Sequence, residues 1–251
     1  MYHQDHQNMR IAIIGHGKMG KTIEQAAKKM GHEVSLIVDI HNQHFIKDLT
    51  SYKDKIDVAI EFSVPGNAYE NIANCLKAGI PVVSGTTGWL DKFDEVIELT
   101  KRSKGTFFYS SNYSIGVNLF FEINKFAAKL FNAYPDYDLS IEEVHHVQKI
   151  DAPSGTAITL ANNILAHSKI KDHWTTNHSN APKDLNISSM RQKDVAGIHT
   201  TKIENQHDII EIKHSAKNRI GFADGALEAA KFIQNKVGVF GMSDLLNIQK
   251  F

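Results

Sequence analysis

Apolar positions in the first half of the chain switch between two periods. Residues 10–14 form a short β-branched run, followed by Gly15-His16-Gly17-Lys18-Met19-Gly20. A helical period then places Met19, Ile23, Ala26, Ala27 and Met30 on one face, and Gly31 stands where a left-handed cap would close it. A second strand is predicted over 33–38, ending on Asp39. Strands at 57–62, 80–84 and 106–110 continue the alternation, with helices at 68–78 and 90–104 between them. Such alternation implies parallel pairing through right-handed crossovers, with ligands held beyond the carboxyl ends of the strands. Those ends carry Gly15 to Gly20, Phe62-Ser63, Gly85-Thr86-Thr87-Gly88 and Ser110-Ser111-Asn112-Tyr113.

After Gly116 the rhythm changes. Residues 117–132 read as one long helix with Leu119, Phe120, Ile123, Phe126, Ala127 and Leu130 as its apolar face. Strand signals recur at 138–146, 186–191, 199–204 and 208–214, the last two flanking an Asn205-Gln206-His207 turn suited to an antiparallel hairpin. A helix is expected from Ser154 to about His167, and 169–183 reads as a long surface loop containing Trp174. Residues 222–236 form an amphipathic helix that could pack on either half. The predicted fold class is α/β, with a smaller α+β domain whose sheet is mixed or antiparallel and whose exposed face could serve oligomerisation.

Composition narrows the function classes. Lys plus Arg and Asp plus Glu both number 28 in the 251 residues, so no bulk field draws nucleic acid or an anionic membrane. The single Cys75 excludes an internal disulfide and a cysteine-built zinc site. No run approaches the ~18 apolar residues of a membrane span, and no secretory leader is recognisable, so a cytoplasmic enzyme is expected. Residues 1–8, polar and His-rich before Met9, read as a disordered leader or cloning remnant.

The glycine pattern follows a strand, opens a helix and precedes an acid roughly 20 residues on, as a dinucleotide-binding fingerprint requires. Gly15 would make the tight turn, Gly17 would let a pyrophosphate approach the backbone, and Gly20 would let helix and strand pack closely. Asp39 would accept hydrogen bonds from the adenosine ribose. It opposes a 2′-phosphate, which leans the choice between NADH and NADPH towards NADH. The other chemical concentration is Glu142-Glu143-Val144-His145-His146-Val147-Gln148-Lys149-Ile150-Asp151-Ala152-Pro153-Ser154-Gly155-Thr156-Ala157. Two histidines and a lysine so close together suit an anionic ligand such as a small polycarboxylate. His145 and His146 would face opposite sides of an extended strand, so a shared pocket needs the strand to end there. Adjacent histidines lack helical zinc-ligand spacing, and no metal is expected.

The run from Glu143 to Ala157 closely resembles the signature E-x-H-H-x-x-K-x-D-A-P-S-G-T-A of the dihydrodipicolinate (4-hydroxy-tetrahydrodipicolinate) reductase family. The resemblance extends from Met9 to Phe251 and includes Ser111 to Asn118 and Arg219-Ile220-Gly221-Phe222-Ala223-Asp224-Gly225-Ala226. It implies a cytoplasmic homotetramer that reduces a small cyclic dicarboxylate with NADH or NADPH, on the lysine and diaminopimelate route. It also implies a Rossmann-type nucleotide domain from 9–113 and 220–251 and a substrate-binding and tetramerisation domain from 114–219. By resemblance His145 is the acid and Lys149 assists it as proton donor or electrostatic stabiliser. Substrate would be bound by His146, Ser154, Gly155 and Thr156, and cofactor by Gly15, Gly17, Lys18, Met19, Gly20, Asp39, Phe62, Gly85, Thr86, Thr87, Ser110, Ser111, Asn112, Tyr113, Arg219 and Phe222. Three departures touch cofactor preference or positioning: Lys18 replaces a usual arginine in a glycine loop shorter than in some members, Gln148 replaces a frequent histidine, and no arginine follows Asp39. The competing readings are a two-domain amino-acid dehydrogenase, which gives no reason for the lysine and Ser-Gly-Thr cluster, and an inactive nucleotide sensor, in which that cluster would be eroded.

Overall fold

A computed structural model describes residues 8–42, 44–218 and 220–248. Residues 1–7 of the expected leader lie outside the described residues, and so does Arg219. In chain order the elements begin with β1 (Arg10–Ile14), α1 (Lys18–Lys29), β2 (Glu33–Val38), α2 (His44–Lys47), β3 (Val58–Glu61), α3 (Pro65–Lys77), β4 (Val82–Ser84), α4 (Phe93–Ser103) and β5 (Thr106–Tyr109). Then come α5 (Ile115–Phe131), β6 (Asp138–His145), α6 (Gly155–Leu165), β7 (His173–Thr175), β8 (Asp184–Arg191), β9 (Ile198–Glu204) and β10 (Ile209–Ser215). The chain closes with α7 (Ile220–Phe232), β11 (Gly238–Phe240) and α8 (Met242–Leu245). They fall into two units, one running to Ile115 and resuming at Ile220, the other beginning at Gly116.

In the first unit the strand order is β11-β5-β4-β3-β1-β2, and every pairing is parallel. Side-chain alternation along β1 feeds two cores, Ile11 and Ile13 on one face and Ala12 and Ile14 on the other. α1 ends in a Schellman turn: His32 N–H donates to Ala27 O at 2.9 Å and Gly31 N–H to Lys28 O at 3.1 Å. Gly31 takes φ +84° there, as the sequence predicts. α3 starts three residues earlier than its apolar period suggests, because Pro65 is already shaped for the first helical turn. α7 buries Ala223, Ala226, Ala229 and Ala230 in the first unit's core. The tail then adds β11 as a sixth strand beside β5, a pairing its three residues gave no periodic signal for.

The second unit carries a mixed sheet in the order β10-β9-β6-β8-β7. β10 and β9 form the expected antiparallel hairpin, β9 runs antiparallel to β6, and β6, β8 and β7 are mutually parallel. The segment expected as an unstructured loop therefore contains a strand, β7, whose Trp174 packs against the core that also holds Leu185. The face assigned to α5 also needs correction. Val117, Phe120, Phe121, Asn124, Ala127 and Ala128 are buried, while Leu119, Ile123, Phe126 and Leu130 form an exposed stripe on the far side. This helix is apolar on two faces, so period alone could not choose between them. Among the described residues no helix is long and apolar enough to cross a membrane.

Candidate active site

The strand order of the first sheet reverses at β1, with β2 on one side and β3 on the other, so a crevice opens beyond the ends of β1 and β3. Backbone lies so close there that side chains are excluded. A Cβ on Gly15 would stand 2.2 Å from Phe62 O, and one on Gly20 would stand 2.0 Å from Gly15 O. Gly17 is the N-cap of α1 and faces open space. No side chain caps this helix and its first turn has no acid, so the N–H groups of Lys18, Met19 and Gly20 remain available to a phosphate. A cavity of about 430 Å³ is lined by Gly15, His16, Gly17, Lys21, Asp39, His41, Phe62 and Ser63, among others. A second hollow of about 320 Å³ is lined by Gly17, Lys18, Met19, Phe62, Gly85, Thr86 and Thr87. These residues fit a dinucleotide.

Glu61, fully buried at the end of β3, ties the crevice together. It accepts hydrogen bonds from Ser63 N–H (3.0 Å), Ser84 Oγ (2.6 Å), Thr86 Oγ1 (2.9 Å) and Ser63 Oγ. A charged residue in the buried run Val58–Glu61 was the available signal for this hub, and the sequence reading gave it no role. Of the loop after β5, Ser110 Oγ donates to Asn112 O and Asn112 Oδ1 accepts from Ser114 N–H. Tyr113 is a core residue whose hydroxyl donates to Ser84 O at 2.6 Å, so its side chain is occupied structurally. Burial raises the pKa of that phenol well above its ordinary value. Asp39 accepts from His41 N–H at 2.8 Å, and Phe222 is half-buried on α7.

The second unit's site follows from strand register. Along β6, Leu139, Ile141, Glu143 and His145 point to the covered face. Glu143 lies opposite His199 of β9 on one side and Ser189 of β8 on the other. Ser154, the N-cap of α6, arrives above them. Its N–H donates to both Glu143 oxygens at 3.0 and 3.1 Å, and its Oγ accepts from Ala157 N–H and lies 3.1 Å from His199 Nε2. Ser189 Oγ donates to Glu143 Oε1 at 2.7 Å. Glu143 Oε2 faces His145 Nδ1 at 3.4 Å and His199 Nε2 at 3.6 Å. Burial pushes the Glu143 carboxyl up, but His199, Ser154 and Ser189 outweigh it and hold the pKa at about 2. Burial pushes His145, only 7% exposed, down to about 4; Glu143 opposes the shift, while His199, Lys149 and Arg191 add to it.

β6 ends at His145, so His146 begins a turn, closed by Lys149 N–H donating to His146 O at 3.0 Å. His145 Nδ1 and His146 Nδ1 are both buried without a hydrogen-bond partner. Arg191 holds the following loop through Lys149 O (3.2 Å) and Asp151 O (2.7 Å), and Lys149 Nζ pairs with Asp151 at 2.8 Å. At the start of α6 the N–H groups of Gly155 and Thr156 have no intrahelical acceptor, and Gly155 faces open space. Glu143 is visible in the sequence as part of the motif, without a role of its own. His199, Ser189 and Arg191 had been missed, because only strand register brings them beside it.

A parallel sheet with a glycine loop at its switch point and a buried carboxylate–histidine cluster in a second, mixed-sheet unit define a two-unit, dinucleotide-dependent oxidoreductase. Residues 9–113 match the family described as dihydrodipicolinate reductase, N-terminus, and residues 116–246 match its C-terminus. The chain is 45% identical to the 4-hydroxy-tetrahydrodipicolinate reductase of Christiangramia forsetii, across 95% of this chain and 98% of the relative. It is 32% identical to that of Methanoregula boonei, across 96% and 99%. Its fold is similar to the dipicolinate-bound dihydrodipicolinate reductase of Paenisporosarcina sp. TG-14, with TM-score 0.74, 22% identity and coverage of 97% and 100%. The chain belongs to the dihydrodipicolinate reductase family, an NAD(P)H-dependent oxidoreductase family of lysine and diaminopimelate biosynthesis.

Proposed function

We propose that the protein reduces 4-hydroxy-tetrahydrodipicolinate, a cyclic dicarboxylate, to tetrahydrodipicolinate, with the cofactor held by the first unit and the substrate by the second. The observation that carries this reading is the start of α6, where the open amides of Gly155 and Thr156 lie on the same turn as Ser154, which is fixed to Glu143 beside His145. Those amides suit one substrate carboxylate, and Lys149 and His146 suit the charge of the other. When bound, NADH or NADPH supplies the hydride. Gly15, Gly17 and Gly20 let backbone approach its phosphates, and Lys18, Met19, Phe62, Gly85, Thr86, Thr87, Ser110, Ser111, Asn112, Tyr113, Arg219 and Phe222 complete the proposed cofactor set. The Asp39 carboxylate favours a free ribose hydroxyl, hence NADH, over a 2′-phosphate.

His145 gives the proton. In the free site its ring is neutral at pH 7, with the pKa at about 4. A dianionic ring bound beside it raises its affinity for a proton, so His145 becomes an acid only when substrate is present. Lys149 is a second candidate for the same proton, favoured by that low value, and otherwise stabilises negative charge. The protein acts in the cytoplasm as a homotetramer in this reading. The exposed apolar stripe of α5, Leu119, Ile123, Phe126 and Leu130, supports self-association. A coupled assay with the synthase-generated substrate, following cofactor absorbance, tests the activity. No oxidation of either NADH or NADPH would refute it. Light scattering on the eluted protein tests the tetramer.

A further inference from the structure

Glu143 occupies the central strand of the second sheet, fully buried, in a phase otherwise filled by Leu139 and Ile141. An ionised carboxylate survives there only if its oxygens are engaged. Its partners do more than satisfy it. Ser154 N–H fixes the first residue before α6, and Ser189 Oγ anchors the carboxylate from β8. The oxygen Oε2 lies 3.4 Å from His145 Nδ1, which has no hydrogen-bond partner, and 3.6 Å from His199 Nε2, close enough for its charge to act on both rings. The His199 ring stands 5.0 Å from that of His145 at 71°, edge to face, and its Nε2 reaches Ser154 Oγ. Gly197 lies beside the same ring and leaves it room: an added Cβ would stand 3.2 Å from His145 Nε2.

We propose that Glu143 and His199 are positioning residues for the reaction: they hold the His145 ring and the start of α6 in one rigid frame, and the Glu143 charge stabilises a proton on His145. This rests on the reading of His145 as the acid. The groups facing His145 are Glu143 from its own strand, His199 from β9, Arg191 from β8 and Lys149 from the following loop. Glu143 is the one anion among them. Without it three cationic or titratable groups would oppose protonation unbalanced. The frame also explains why the Gly155 and Thr156 amides stay open: Glu143 holds the preceding Ser154 N–H, so the α6 start cannot relax over them.

The test compares Glu143→Gln, Glu143→Asp, His199→Gln and His145→Gln by steady-state kinetics across pH. Glu143→Gln keeps the shape and removes the charge. Its kcat/KM should fall at least about tenfold, the rate equivalent of one unit of proton affinity. The limb on which kcat declines with rising pH, which reports the substrate-bound enzyme, should move to lower pH, since the protonated ring has lost its counter-charge. Glu143→Asp should restore part of both, and NADH affinity should be unchanged in all four. Merely structural damage would lower activity without moving the limb. An unshifted profile and wild-type kcat/KM in Glu143→Gln and His199→Gln, alongside an inactive His145→Gln, would overturn the proposal and leave the reading of His145 intact. A fully active His145→Gln would instead remove that reading. Should Glu143→Gln not fold, His199→Gln carries the test: it removes a neighbour that opposes protonation of His145, so its limb should move to higher pH while kcat/KM falls, and wild-type kcat/KM with an unshifted limb would overturn the proposal. The ligand atoms of Glu143, His145 and His199 also lie within 4.8 Å of one another, a spacing that admits a divalent cation. Loss of wild-type activity on chelation, restored by zinc, would therefore overturn the proposal as well.

Discussion

The two candidate sites are built by opposite means. The crevice of the first is made of backbone: a glycine turn, uncapped helix amides and strand ends packed until no Cβ fits at Gly15 or Gly20. The cluster of the second is made of buried side chains: Glu143 is flanked by His145 on its own strand, by His199 and Ser189 on the neighbouring strands and by Ser154 at the start of α6. A backbone site depends less on side-chain charge, and where its turns are tight, at Gly15 and Gly20, it is intolerant of added volume. A side-chain site is the reverse, since its groups hold unusual protonation states only while their partners remain. That contrast is open to direct attack.

The largest effect is expected at the second site. His145→Gln should lower kcat by the ~10²–10⁴ typical of lost general acid catalysis, with NADH affinity unchanged by fluorescence titration. A loss below tenfold would break the contrast, because the cluster would then be structural. Lys149→Ala should lower kcat less and raise KM for the dicarboxylate, since its charge serves both binding and reaction.

Acid should also act on the second unit first. Glu143 sits near 2 when folded and at about 4.5 when unfolded, so the stability it contributes is present above about pH 4.5 and is lost as pH falls towards 2. His145, depressed to about 4 from 6.5, binds its proton more readily in the unfolded chain, so stability also declines as pH drops from about 6.5 to 4. Each shift corresponds to about 3 kcal/mol between its two limits. Chemical denaturation at pH 7 and pH 4 should show His145→Gln losing less stability than the wild type across that interval. An equal loss would mean the ring is not the linked group.

At the first site volume, not charge, is the probe. Gly20→Ala places a methyl 2.0 Å from Gly15 O, and backbone must move to admit it. Overpacking of this kind costs about 1–3 kcal/mol, read as a lower denaturation midpoint together with weaker NADH binding. Gly17→Ala meets nothing within 4 Å, so it should leave stability intact and weaken only the cofactor. Equal destabilisation by both would remove the distinction between packing and binding glycines.

The same contrast explains what the sequence could disclose. A backbone site leaves its mark in spacing: three glycines between a strand and a helix, then Asp39, are local facts. The α/β rhythm was legible for the same reason, because each element states its period within a dozen residues. His199 lies 56 positions from Glu143, and no local pattern joins them; only the antiparallel register of β9 with β6 does. α5 was legible as a helix but not in orientation, since apolar residues line two of its faces and only the tertiary fold decides which is covered. β7 and β11, three residues each, exist because a neighbouring strand offered a free edge.

The smallest expected effect bears on Asp39, the side chain proposed to select between the two cofactors. Asp39 directly follows β2 and lines the first crevice, where its Oδ1 already accepts from His41 N–H and its N–H donates to Asn42 Oδ1. These bonds hold the carboxylate in place, so in the proposed reading it would accept from a ribose hydroxyl and repel a phosphate. Lys21 and His41 line the same cavity and supply charge that can partly offset that repulsion. Asp39→Ser should therefore raise KM for NADH and lower it for NADPH, each by only a few-fold, on the order of 1 kcal/mol in the ratio. The kcat values should stay equal, because the selection is made far from the reacting ring. A wild-type enzyme that already prefers NADPH would reverse the assignment and make Lys21 and His41, not Asp39, the residues that choose.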